Sequence, residues 1–187
     1  MGRAALKDSY HQSLGMTKTR GIVLTILVAS SICDAQTGLD ELLRRAKESG
    51  DALIRGDFDK LVDLTYPKLV ELIGGRARMV SLLETRRKEM NAQGNEFSSV
   101  SVHQPKETVS IGTRTLAIVP FTLKLNVAEG TLIHETFVIG ISDDRGMTWT
   151  LIDGTNLDER RLRILLPDAA GKIILPERQP PRFQRNL

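Results

Sequence analysis

Apolar residues recur at helical spacing up to Gly94 and at alternate positions after it. Leu42, Leu43, Ala46, Leu53 and Ile54 fall near one face of a helix that Asp40 caps and Gly56 stops. Asp57 caps a second helix carrying Phe58, Leu61, Val62 and Thr65. Tyr66-Pro67 ends it, because the residue before proline avoids the helical region. Lys68 to Ile73 predicts one more short turn of helix before Gly74-Gly75. A third long helix is expected from Arg76 to Gln93, with Met79, Leu82, Leu83 and Met90 inward and Gly94 as its stop.

The strands follow. Phe97 to His103 and Glu107 to Ile111 are short, separated by Pro105. In Thr115 to Val127 one face carries Ala117, Val119, Phe121, Leu123 and Leu125. Pro120 within it implies a bulge or an edge position, since proline cannot donate to the ladder. From Thr131, Ile133, Glu135, Phe137, Ile139 and Ile141 share one face, and His134, Thr136, Val138 and Ser142 the other. A three-residue loop, Asp144-Arg145-Gly146, with Gly146 left-handed, would put Trp149 and Leu151 of the return strand on the Phe137 face. Helices first and a strand meander second is the α+β order, N-terminal helices packed on a curved antiparallel sheet. After Gly154 the periodicity fades. Asp158 to Leu166 predicts a short helix with Leu162 and Leu165 packed, Lys172 to Leu175 a strand or clasp, and the proline-rich basic run from Pro176 a loose tail.

Charge and composition narrow the partners. Hydrophobic residues make up 41% of the chain, enough for a core, and the net charge of +3 is too small to argue for nucleic acid. Lys18-Thr19-Arg20, a short apolar run to Cys33 and small residues at Cys33 and Ala35 make a secretory signal over residues 1–35, with cleavage before Gln36 and Met16 as an alternative start. An uncleaved anchor is the competing reading, although the run is shorter than the ~20 residues that cross a bilayer. The processed chain would hold no cysteine and be nearly neutral, fitting a periplasmic or secreted protein without a stable membrane span.

Two resemblances stand on particular residues. Ser142-Asp143-Asp144-Arg145-Gly146-Met147-Thr148-Trp149 is similar to the Asp-box hairpin known from sialidases, a structural motif. Gly56-Asp57-Phe58 through Leu64, Gly74-Gly75-Arg76 and Trp149 to Asp153 resemble the helix junction, the third-helix start and the last strand of the NTF2-like (SnoaL-like, cystatin-like) superfamily. The resemblance implies a cone in which helices and a concave sheet enclose a pocket over residues 36–157, with 158–187 a partly disordered extension. Members of that superfamily include isomerases, cyclases and dehydratases, ligand binders and dimerisation modules. No catalytic motif of those enzymes is matched.

The chemistry is sparse. His11, His103 and His134 lack metal-site spacing, no nucleophile or phosphate-loop motif occurs, and no cofactor or metal is expected. Arg44-Arg45, Arg76-Ala77-Arg78 and Arg86-Arg87-Lys88 read as solvated helix faces. If the Phe137 face is concave, Glu135 and Asp153 enter the cone together, as acid–base groups, as ligand anchors or as rim carboxylates paired with helix arginines. Asp63, Tyr66, Glu135, Trp149 and Asp153 are the candidate ligand-lining residues. The leading expectation is a non-catalytic binder of a small apolar ligand or an interaction module, with a homodimer through the sheet. The alternative is a SnoaL-type enzyme using Glu135 or Asp153 as general base.

Overall fold

Why the sheet is two strands wide at its middle and four at each end follows from its longest pair. β3 (Arg114–Val127) and β4 (Gly130–Ser142) pair antiparallel along their whole length, from Thr115↔Ser142 to Val127↔Gly130. β1 (Glu96–Val102) and β2 (Glu107–Ile111) share the outer edge of β3, and β5 (Thr150–Asp153) and β6 (Arg182–Arg185) share that of β4. Every pairing is antiparallel, and the sheet is curved. A computed structural model describes residues 26–185, with side chains from Thr37 onward. The signal expected over 1–35 lies mostly outside the described residues.

Pro120 sits at the waist, where β1 has ended and β2 has not begun. Its carbonyl accepts from His103 N at 3.0 Å, so its nitrogen faces the same gap and leaves no ladder bond unmade. The proline therefore occupies a central strand rather than an edge. The waist has a second gap on the β4 side, between β5 and β6, bridged by Gly154 N donating to Phe137 O at 2.8 Å.

Among the described residues four helices precede the sheet: α1 (Ile26–Arg55), α2 (Phe58–Leu64), α3 (Pro67–Ile73) and α4 (Arg76–Ala92). α1 does not start at Asp40 but runs through it, because the segment before it contains no helix breaker stronger than Gly38. That glycine has a packing reason: a Cβ there would come within 3.0 Å of Gly146 O. Asp57 caps α2 by accepting from Lys60 N at 3.1 Å. The extended Thr65-Tyr66 pair that Pro67 enforces lies against β5, with Tyr66 N donating to Leu151 O at 2.9 Å.

The hairpin after β4 differs from the three-residue loop the sequence predicts. Arg145 and Gly146 both take left-handed φ, at 61° and 97°, and the ladder closes at Ile141↔Thr150. The loop is thus centred between those two residues, and the register moves by one. A slip of one residue exchanges the faces of a strand. Trp149 and Leu151 accordingly lie with Val138, not with Phe137, and Asp153 lies opposite Glu135 across the sheet.

Both faces carry a core. On the first, Ala117, Val119, Phe121, Val138, Trp149 and Leu151 pack against Leu42 and Ala46 of α1. On the second, Leu116, Ile118, Phe137, Ile139, Ile141 and Ile152 are covered by Tyr66 and by the C-terminal segment. That segment contributes α5 (Glu159–Leu165), capped by Asp158 accepting from Arg161 N at 2.8 Å, and then Leu166, Ala169 and Ile173. The tail expected to be loose adds β6 against Gly130–Ile133. Its four residues are all exposed.

Candidate functional site

The first sheet face is filled at one end and open at the other. At the filled end a Cβ at Gly140 would overlap Leu42 Cδ1 and come within 3.1 Å of Trp149 Cε3. Trp149 Nε1 donates to Gly38 O at 2.9 Å and Gly146 O at 3.0 Å, so the indole is both buried and satisfied. The loop above it is tied by Asp144. Its carboxylate accepts from Thr148 N (2.9 Å), Thr148 Oγ1 (2.6 Å) and Ser142 Oγ (2.7 Å). These bonds, those from Thr148 foremost, hold the Asp144 carboxyl at about 2, below its ordinary 3.8.

Towards the other end the helices stand away from the sheet. The space between is a cavity of about 940 Å³, within the range of small-molecule sites. Leu53 of α1, Leu61 of α2, Leu69 of α3 and Leu83 of α4 face Leu123 and Val138 across it. No residue of α3 or α4 is buried, so Met79 and Leu83, two of the four side chains expected inward on α4, line an open space instead of a core. Leu82 points further out, at 47% exposure. Polar contacts hold this helical pair in place. Arg76 pairs with Asp63 and with Asp59 (2.8 Å) on α2, and Arg87 donates to Leu53 O (2.8 Å) and Ile54 O (3.0 Å) at the end of α1. These two arginines are tethers rather than parts of a solvated face. Arg44 and Arg45, paired with Glu41 on the same helix, do match that expectation.

A strip of polar groups crosses the apolar wall. His134, Thr136, Asp153 and Thr155 line the cavity, with Arg161 of α5 at its border donating to Asn156 O. Asp153 Oδ1 accepts from Thr155 N (3.0 Å) and Thr155 Oγ1 (2.8 Å), and Thr136 Oγ1 lies 3.2 Å from Thr155 Oγ1.

Of the residues expected to line a pocket, only Asp153 does so here. Glu135 is exposed on the second face and forms an ion pair with Arg182 of β6, not with a helix arginine. It borders a groove of about 650 Å³ at the waist, with His103 and Arg178, which shares His134, Thr136 and Thr155 with the cavity. Asp63 is engaged by Arg76 outside the cavity. Tyr66 lies in the second core, where burial pushes its hydroxyl pKa up. Trp149 belongs to the filled end. The expected meeting of Glu135 and Asp153 does not occur, because the one-residue register change separates them by the thickness of the sheet.

His134, Thr136 and Thr155 are not among the lining residues that the sequence predicts, and Arg161 stands out there only within the basic cluster Arg160-Arg161-x-Arg163. The first two read as the solvent side of β4 because Trp149 and Leu151 were assigned to the other face. The signal that could have found them is Val138: an apolar residue between Thr136 and Gly140 shows that this face, too, is covered. Among the described residues no cluster of metal-ligating side chains occurs, and no helix is long and apolar enough to cross a membrane.

No protein-family model and no curated protein matches the sequence. Among solved structures the chain is similar to an LEH-like epoxide hydrolase from M. tuberculosis, at 18% identity and a TM-score of 0.31. The match covers 69% of this chain and 94% of that one. A likeness at that level carries nothing about activity or substrate to this chain; what its own residues establish is an α+β domain with a large apolar cavity between its helices and its antiparallel sheet.

Proposed function

We propose that this chain is an NTF2-like domain, exported and processed before Gln36, that binds a small apolar ligand without transforming it. The observation that supports this most is the cavity itself: about 940 Å³, walled by leucines and bounded by an α3–α4 pair with no buried residue. Leaving the apolar side chains of α4 without a buried partner forgoes burial worth ~25 cal/mol per Å². A ligand that fills the space recovers it. The enzyme reading loses its paired carboxylates, since Glu135 lies on the opposite face and is held by Arg182.

Uptake of the neutral dye N-phenyl-1-naphthylamine by the processed protein tests the reading. Bright, saturable fluorescence is expected in the wild type and at least a tenfold weaker signal in Leu53→Trp, whose indole occupies the cavity. Ile174→Trp, at a position 79% exposed and outside the cavity, is the control. Equal uptake by all three proteins would sink the binding reading, and N-terminal sequencing of exported protein that found residues 1–35 retained would sink the processing.

A further inference from the structure

Hydrogen-bond direction along the cavity's polar strip selects the kind of ligand head it accepts. An ionised carboxylate only accepts, so the 2.8 Å contact fixes the Thr155 hydroxyl as donor to Asp153 Oδ1. With its single proton committed there, Thr155 Oγ1 can only accept from Thr136 across their 3.2 Å contact. Thr136 has then spent its own proton. Two acceptors are thus left on residues that line the cavity: the lone pair on Thr136 Oγ1 and the second carboxylate oxygen of the exposed Asp153, Oδ2, which has no partner among the described residues. The alternative polarity, with Thr155 donating to Thr136, would leave the carboxylate without its hydroxyl donor and forfeit the stronger, charge-assisted bond.

We propose that the cavity takes a molecule with an apolar body and a hydroxyl group that donates to Thr136 or Asp153. This rests on the binding reading above and names the ligand class. A carboxylate or phosphate dianion would set a second negative charge beside Asp153 with no proton to offer, and the Arg161 guanidinium is already engaged with Asn156 O. A protonated amine would meet Arg161, which lines the same cavity. A neutral hydroxyl satisfies the acceptors without bringing in a charge.

Displacement of N-phenyl-1-naphthylamine from the full chain by matched amphiphiles tests it. Dodecan-1-ol and 1-methoxyundecane have the same atoms and the same length, but only the alcohol donates. The alcohol is expected to bind about five- to tenfold tighter, the effect of one net hydrogen bond. Thr136→Val should narrow that ratio. Asp153→Asn should likewise narrow it, because the amide oxygen takes over the Thr155 bonds and the NH2 that replaces the second carboxylate oxygen is a donor that alcohol and ether accept alike. Equal binding of alcohol and ether by the wild type overturns the inference, as does tighter binding of dodecanoate or dodecylamine. Dye uptake without an alcohol preference sinks this inference alone, whereas no uptake sinks the binding reading with it. Should either variant misfold by circular dichroism, the wild-type alcohol-to-ether ratio decides.

Discussion

The two ends of one sheet face are built from similar residues and solved differently. Near the β4–β5 hairpin, Leu42, Gly140 and Trp149 interlock so closely that a methyl group added at Gly140 would have to displace Leu42. A few residues along the same face, Leu53, Leu83 and Leu123 look at one another across open space. The packed end is sealed by a side chain, Trp149, whose only polar atom bonds the helix and the loop together. The open end is spanned by polar tethers, Arg76 and Arg87, which set the position of α4 without filling the volume beneath it. A polar tether can fix a helix at a distance; apolar packing must close the distance to contribute.

Removing the seal should produce the largest effect. Trp149→Ala is expected to cost about 3–5 kcal/mol, the cost of a large buried side chain together with its bonds to Gly38 O and Gly146 O. Urea unfolding followed by far-UV circular dichroism measures it; a loss below about 1 kcal/mol would show that the hairpin end is no more tightly packed than the open end.

Gly140→Ala probes the same end by overfilling. The new methyl would overlap Leu42 and the indole edge, and about 1–3 kcal/mol of destabilisation is expected. A neutral result would mean that α1 can retreat from the sheet here as it does further along.

Acid provides a gentler test of the loop above the seal. Asp144 is held at about 2, against an ordinary 3.8, so the folded state binds its proton less readily than the unfolded one. Its contribution is complete above pH ~4 and is lost as pH falls through about 2. Asp144 is near the surface, so the effect is small. Stability of Asp144→Asn should fall less steeply than wild type between pH 4 and pH 2; parallel curves would place the acid sensitivity elsewhere, with Glu41, also held at about 2 by Arg44, as the other contributor.

The smallest effect on stability is expected at the open end. Leu83→Ala should cost under about 1 kcal/mol by the same urea measurement, because the side chain is only half-buried. It should nevertheless weaken uptake of the naphthylamine dye. A loss equal to that of Trp149→Ala would mean that the cavity closes in solution and that the two ends are alike.

Much of this molecule was legible in its sequence. The period-two pattern of Ile133 to Ile141 and of Ala117 to Leu123 defines the two central strands and their apolar faces, because alternation along a strand is a local property. Asp57, Pro67, Gly74 and Gly94 mark helix boundaries for equally local reasons: a side-chain cap, a steric exclusion, and left-handed backbone where glycine is unstrained. The arrangement of helices on an antiparallel sheet follows from their order. What alternation leaves undetermined is which face of β5 meets which face of β4. That depends on whether the hairpin loop is centred on a residue or between two, and the left-handed pair Arg145-Gly146 decided it. One residue of register moved Trp149 from a presumed pocket into a core and parted Asp153 from Glu135. The cavity was equally invisible, because Met79 and Leu83 have the same helical spacing whether the space opposite is filled or empty. Only the distance between α4 and the sheet, set by arginine contacts to α1 and α2 far along the chain, made the difference.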